Sequence, residues 1–330
     1  MKAESMKNRG FGSLARLLAA RELGVFGALA ALVVLMAFLS PYFLGTENIF
    51  NVLRGMSTIG IMGIGQTLVI VSGGIDLSVG SLLAVSAMFT ARLMTYHGVP
   101  PWVAVLAGLG LGLFLGLGNG LLVTKGRINA FVATLGMLSI GRGLTYLLAT
   151  GLEGTVASNI PMRDPGVNFL GAGYIGPVPF AVILMVVLVA IFSFFMRFTV
   201  LGRQIYATGS NEQAARLAGV DVDRARLFAY GVTGALCALA GIMNAGLLST
   251  AATNLGVGNE LDVIAAVVIG GASLQGGEGT IYGAIIGAAI MAVLRNAFVL
   301  LKFPIHWQTV AIGLVIILAV GTDRLRRRQR

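Results

Sequence analysis

Residues 103–123 read VAVLAGLGLGLFLGLGNGLLV. This run carries no charge and is as long as an α-helix must be to cross a hydrocarbon core of about 30 Å at about 1.5 Å per residue. Its glycines are periodic. Gly108, Gly112, Gly116 and Gly120 recur at every fourth position and so share one helix face. In lipid, apolar side chains gain nothing by leaving the tails, and a face of small residues lets a neighbouring backbone approach until dispersion contacts accumulate. These four glycines are therefore expected at helix–helix contacts. Gly279, Gly283 and Gly287 repeat the spacing near the other end of the chain.

The rest of the chain has the same character. Of 330 residues, 57% are hydrophobic and 11% charged, against roughly 25% charged in soluble domains. That excludes a cytosolic enzyme and a disordered scaffold, and one cysteine, Cys237, excludes a disulfide-built secreted domain. Apolar segments fall at 23–39, 59–71, 77–93, 103–123, 131–148, 178–195, 227–248, 261–269, 281–301 and 310–320. The first continues into Ser40-Pro41-Tyr42-Phe43 without a small-residue cleavage pattern, and reads as a retained anchor.

The net charge of +10 is placed at helix ends. If the N-terminus is inside and each segment crosses once, inside segments hold 17 of the 23 Lys and Arg: five in the N-terminal tail, Lys125 and Arg127, five within 197–226, and five in the C-terminal tail. Outside lie Arg54, Arg92, Arg163 and Lys302; Arg142 and Arg295 fall within spans. This bias puts both termini in the cytoplasm and favours anionic lipid headgroups, not nucleic acid, as the basic tails' contact. The expected fold is an all-α, polytopic membrane protein of about ten transmembrane helices, including interrupted or re-entrant segments. It divides into a basic tail (1–22), a transmembrane domain (23–320) with a long cytoplasmic loop (197–226), and a second basic tail (321–330).

Segments 59–71 and 261–269 are too short to cross alone, and each runs into a Gly pair: Gly73-Gly74-Ile75-Asp76-Leu77-Ser78 and Gly270-Gly271-Ala272-Ser273. Matching breaks suggest a weak internal repeat. Irregular backbone at membrane depth is tolerated where it is shielded or lines a watery cavity. Asp76 fits both a pathway wall and a simple helix cap shared with Ser78.

No catalytic apparatus is visible. His97 and His306 lack metal-ligand spacing, no cofactor is implied, and the nearest approach to a phosphate loop, Gly120 to Lys125, lacks the second glycine and the hydroxyl. Ionisable groups within spans cost at least about 2.5–3.5 kcal/mol and mark function by default. Arg142 and Arg295 are the clearest, with Asp76, Glu260 and Asp262 as candidate partners, although Arg142 also suits snorkelling. Asn119, Asn129, Asn244 and Asn296 offer amides for hydroxyl-rich solutes or for interhelical hydrogen bonds. Asp76, Asn119, Arg142 and Asn296 are the candidate pathway residues.

The cytoplasmic loop contains Gly202-Arg203-Gln204-Ile205-Tyr206-Ala207-Thr208-Gly209-Ser210-Asn211-Glu212-Gln213-Ala214-Ala215-Arg216-Leu217-Ala218-Gly219-Val220. Ser210 with Gln213 reads as a capping box and Gly219 as a C-terminal stop, enclosing a helix of about two turns, too short to be stable without a partner surface. Ala214, Leu217 and Ala218 share one face.

This run resembles the cytoplasmic coupling segment of the ABC importer permeases of the ribose, xylose and galactose type. The similarity extends to Gly73–Gly80, to Asn119–Val123 with Thr134-Leu135-Gly136, and to Glu260–Gly271, and so to nearly the whole chain; the outer loop 151–177 has no matching pattern. The resemblance implies a permease fed by a periplasmic sugar-binding protein. It also implies a second permease subunit, the same or different, and an ATPase with two fused nucleotide-binding domains acting on Asn211, Glu212, Ala214, Ala215, Arg216, Leu217 and Gly219. Branched-chain amino acid and nucleoside importers share this architecture, and an ion-coupled secondary carrier is the alternative of another class.

Overall fold

The computed structural model describes residues 24–151 and 154–327. The basic tail 1–22 and residues 328–330, with the cytoplasmic contacts expected of them, lie outside the described residues. Ten apolar helices correspond one to one with the expected segments: α1 (Gly24–Leu39), α2 (Thr46–Val71), α3 (Val79–His97), α4 (Pro101–Thr124), α5 (Ala130–Ala149), α7 (Phe180–Phe198), α10 (Val222–Leu248), α11 (Asn259–Ile269), α12 (Ile281–Leu300) and α13 (Ile305–Arg327). Seven of them are long and apolar enough to cross a membrane. Three further helices are α6 (Pro165–Ala172), α8 (Val200–Ser210) and α9 (Glu212–Leu217).

Several helix starts are set by side chains that satisfy exposed amides. Asn129, Asp164, Thr199, Asp221 and Thr280 accept hydrogen bonds from the first turns of α5, α6, α8, α10 and α12. Two short antiparallel pairings organise the outer face: β1 (Asn159–Pro161) with β4 (Thr250–Ala252), and β2 (Tyr174–Ile175) with β3 (Val178–Pro179). The first fastens the patternless outer loop to the end of α10.

Helix α10 is the hub, packed on α2, α3, α4 and α6. The α4 glycine stripe explains how closely it docks. A Cβ on Gly112 would sit 2.5 Å from Ala238 Cβ and 2.5 Å from the Gly234 carbonyl, and one on Gly120 would sit 2.9 Å from Leu227. Gly116 meets Tyr230 and Gly234, while Gly108 reaches Thr90 and Ser86 of α3. A larger side chain at these positions forces the helices apart. The second stripe acts similarly at two of its three positions: Gly283 lies on Gly270 and Gly287 on Ala266, closing α12 onto α11, whereas Gly279 precedes α12 and packs in the break against Ala272 and Val71.

Segment 59–71 is not a short helix. It is the inner half of α2, which begins at Thr46 and at 26 residues is about 39 Å long. Polar residues in its outer half hid this; Ser57 and Thr58 donate back to the Leu53 and Arg54 carbonyls at 2.8 and 3.4 Å, which lets them sit within a helix. By contrast α11 is as short as expected, 11 residues or about 16 Å, roughly half the hydrocarbon core. The chain before it folds inward, so that Gly256 and Glu260 touch Gly80 in the first turn of α3. The two Gly-rich breaks meet: Gly277 N–H donates to the Val71 carbonyl at 2.9 Å, and Gly276 packs on Gly73 and Gly209.

Candidate functional site

The segment expected to couple to an ATPase forms α8, a sharp turn and α9. The turn residue is Asn211, whose Oδ1 accepts from Ala214 N–H at 3.0 Å. The expected capping box is therefore displaced by one residue: Ser210 still belongs to α8 and its Oγ donates to the Tyr206 carbonyl at 2.8 Å. Gly219, at φ +80°, ends the segment in the left-handed region as anticipated. Ala214, Leu217 and Ala218 face outward, with Leu217 91% exposed, whereas Ala215 is 5% exposed and packs inward.

Charge fixes α9 to its own chain. Glu212 accepts from Arg216 at 3.0 Å and pairs with Arg226 at 2.8 Å; Arg216 also reaches Asp223 at 2.8 Å, which Arg127 approaches at 3.4 Å. Partial burial pushes the Glu212 carboxyl up, but the hydrogen bonds and charges of Arg216 and Arg226 outweigh it and hold the group below the ordinary carboxylate range. Such exposed pairs contribute about 0–1 kcal/mol each; their effect is to set register. Arg226 does more, since its Nε also donates to the Ser72 carbonyl at 3.4 Å. One side chain thus joins α9 to the first helix break. A parallel tie runs from Tyr206 of α8, whose hydroxyl donates to the Gly279 carbonyl at 2.7 Å.

The first break holds a buried polar knot. Asp76 Oδ1 accepts from Ser78 N–H at 2.8 Å and Ser78 Oγ at 2.6 Å; Asn119 Nδ2 donates to Ser78 Oγ at 2.9 Å and approaches Asp76 Oδ2 at 3.4 Å. The Gln66 amide, oriented to satisfy both its atoms, bonds the Asp76 backbone N–H and carbonyl at 3.3 Å each. All four residues are fully buried. Tyr230 of α10 donates to the Ile75 carbonyl at 3.2 Å. The knot closes the space between α2, α3, α4 and α10 on the inner side.

Nearer the outer face lies a cleft of about 510 Å³ between α2, α10, α12, α13 and the loop before α11. Its lining includes Asn51, Thr58, Asn244, Asn254, Asn259, Arg295, Asn296 and Gln308. At its base Arg295 pairs with Asp262, whose side chain is 1% exposed against 35% for Arg295. Asn296 is engaged: its amide and that of Asn48 bond reciprocally at 2.6 and 3.1 Å. An amide without a partner in hydrocarbon costs about 2–7 kcal/mol, so a face carrying this many cannot be presented to lipid. It faces water or another polar protein surface.

The four expected pathway residues thus separate. Asp76 and Asn119 come together in the knot. Arg142 is apart from them, half-buried, beside Glu260 and donating to the Leu255 carbonyl at 2.6 Å. Asn296 alone lines the cleft. Sequence reasoning passed over Asn51, Asn254, Asn259 and Gln308, which come from three separate stretches and share no helical spacing.

A model of the family described as the permease component of branched-chain amino acid transport systems matches residues 48–320. The chain belongs to this family of transport permeases. Among its relatives, the ribose import permease protein RbsC of Escherichia coli (strain K12) is 40% identical over 300 residues, 91% of this chain and 92% of the relative. RbsC of Bacillus subtilis (strain 168) is 40% identical over 308 residues, 92% and 93% of the two chains. The fructose import permease protein FrcC of Rhizobium meliloti is 35% identical over 301 residues, 90% and 83%. This permease is accordingly a transport subunit and a multi-pass protein of the inner (plasma) membrane.

Proposed function

We propose that the chain is the membrane permease of an ATP-binding-cassette importer that moves a monosaccharide, a ribose-like pentose or a related sugar, across the inner membrane. The observation that carries this reading is α9: a capped six-residue helix on the cytoplasmic side, with Leu217 presented to solvent and Glu212 tied through Arg226 to a break in the pathway. A helix this short, held out on charged struts, is built to receive force from a partner. The partner is a separate ATPase with two fused nucleotide-binding domains. A periplasmic sugar-binding protein delivers solute from outside, and a second permease subunit, identical or related, completes the pathway.

In this mechanism the chain supplies no chemistry. Closure of the ATPase domains displaces α9 and α8. Arg226 and Tyr206 transmit the displacement to the Ser72 and Gly279 carbonyls, so both breaks move together, and the Asp76–Ser78–Asn119 knot opens or reseals beneath the cleft. The glycine-packed α4–α10 pair moves as a rigid lever.

The family description favours a second reading, a branched-chain amino acid importer. Against it stands the cleft, whose one ionised residue among the described lining, Arg295, is already paired with Asp262, leaving a zwitterion without countercharges. Uptake of labelled pentoses, hexoses and leucine, in cells with and without the gene, separates the two. Gene-dependent uptake of a sugar and not of leucine is the expected result; gene-dependent uptake of leucine alone overturns the sugar reading.

A further inference from the structure

Resting on that reading, we propose that the outer cleft is a binding site for the solute in transit, and that it selects neutral polyhydroxylated molecules through the free amides of Asn51, Asn244, Asn254, Asn259 and Gln308. These residues come from α2, α10, the loop before α11, the start of α11, and α13. No hydrogen bond to another described residue engages any of the five side chains, in contrast to the bonded amides of Asn48, Asn119 and Asn296.

An amide donates through nitrogen and accepts through oxygen, and a sugar hydroxyl does both, so free amides lining one cleft can match a sugar's hydroxyls in any of several poses. Charge sets the exclusion. Arg295 is spoken for by Asp262, so a phosphorylated sugar or an amino acid would be stripped of water without gaining a countercharge. The volume suits a monosaccharide. Among the described lining residues there is no aromatic ring on which a sugar could stack, so retention is weak, as a transit site requires.

The test exploits the chain's lone cysteine, which is buried. Asn254→Cys and Asn259→Cys are introduced singly into the full chain, co-expressed with its ATPase and binding protein, and treated in spheroplasts with a membrane-impermeant maleimide. Both should label from outside. Addition of about 100 mM D-ribose, D-xylose or D-galactose should slow labelling about threefold with at least one of the sugars, as mass action gives for a site of tens of millimolar affinity. Equal concentrations of L-leucine or ribose 5-phosphate should leave the rate unchanged. Failure of both cysteines to label, absence of protection by every sugar, or equal protection by leucine overturns the proposal. As a second measurement, Asn244→Leu should lower sugar uptake about tenfold, or about 1.4 kcal/mol, while Asn244→Gln recovers most of it; equal uptake by the two variants overturns the proposal. Uptake by the unmodified complex is scored in parallel. Sugar uptake without protection removes the cleft site and leaves the sugar-permease reading intact, whereas no uptake of any sugar removes that reading itself.

Discussion

Leu217→Asp is expected to abolish ATP-dependent uptake while the protein still inserts at normal yield. Leu217 is 91% exposed on the outward face of α9, so an aspartate there disturbs nothing within the chain. On the proposed coupling role the same side chain would enter a groove of the ATPase, where losing an apolar anchor and desolvating a carboxylate together cost about 2 kcal/mol or more. That corresponds to a loss of roughly thirtyfold or greater in coupling. Ala215→Asp should behave differently. Ala215 is 5% exposed and faces its own chain, so its replacement unseats α9 and lowers thermal stability as well as uptake. Parallel measurement of uptake in vesicles and of melting in detergent checks both. Normal uptake by Leu217→Asp, or equal melting losses in the two variants, would contradict the assignment of the outward face as the docking face.

The second large effect concerns the ion pair at the base of the cleft, and it is asymmetric. Arg295→Ala strands a carboxylate whose side chain is 1% exposed. Breaking a buried pair in this way costs about 3–5 kcal/mol, and the lower end applies because Arg295 itself reaches the cleft. At about 2–4 °C per kcal/mol for a chain of this order of size, melting in detergent should fall by about 6–12 °C. Asp262→Ala leaves an arginine facing the cleft, where water can solvate it, and should cost less than half as much. The double change Asp262→Leu with Arg295→Met should recover most of the stability, since a well-packed apolar pair avoids both desolvation costs. A larger loss from Asp262→Ala than from Arg295→Ala would refute this placement of the two charges.

The order and number of apolar helices were legible in the sequence because lipid demands long uncharged runs, and 103–123 alone reveals the rule. The glycine stripe was legible for the same reason: periodicity survives in one dimension. The length of α2 was not, because Asn48, Asn51, Arg54 and Ser57 interrupt its hydropathy, although they serve, in turn, an amide pair, the cleft, the Ala172 carbonyl of α6 and the helix's own Leu53 carbonyl. Helix α9 was located correctly but its cap was assigned to Ser210, since serine and asparagine are equivalent as caps and only the backbone bend distinguishes Asn211. The cleft is the clearest case of information absent from any local pattern. Its free amides are contributed by four helices and a loop, and each alone reads as an ordinary interhelical hydrogen bonder. The Arg295–Asp262 pair likewise joins two helices whose facing was undetermined until Gly283 and Gly287 were seen against α11.

Reconstitution tests directly whether the permease is a conduit that has no engine of its own. The purified permease is placed in liposomes with a labelled sugar inside and outside, first alone under imposed proton and sodium gradients, then with its ATPase, binding protein and ATP. Accumulation against a gradient is predicted only in the second arrangement, and only with ATP hydrolysis. Accumulation by the permease alone, driven by either ion gradient, would contradict the account.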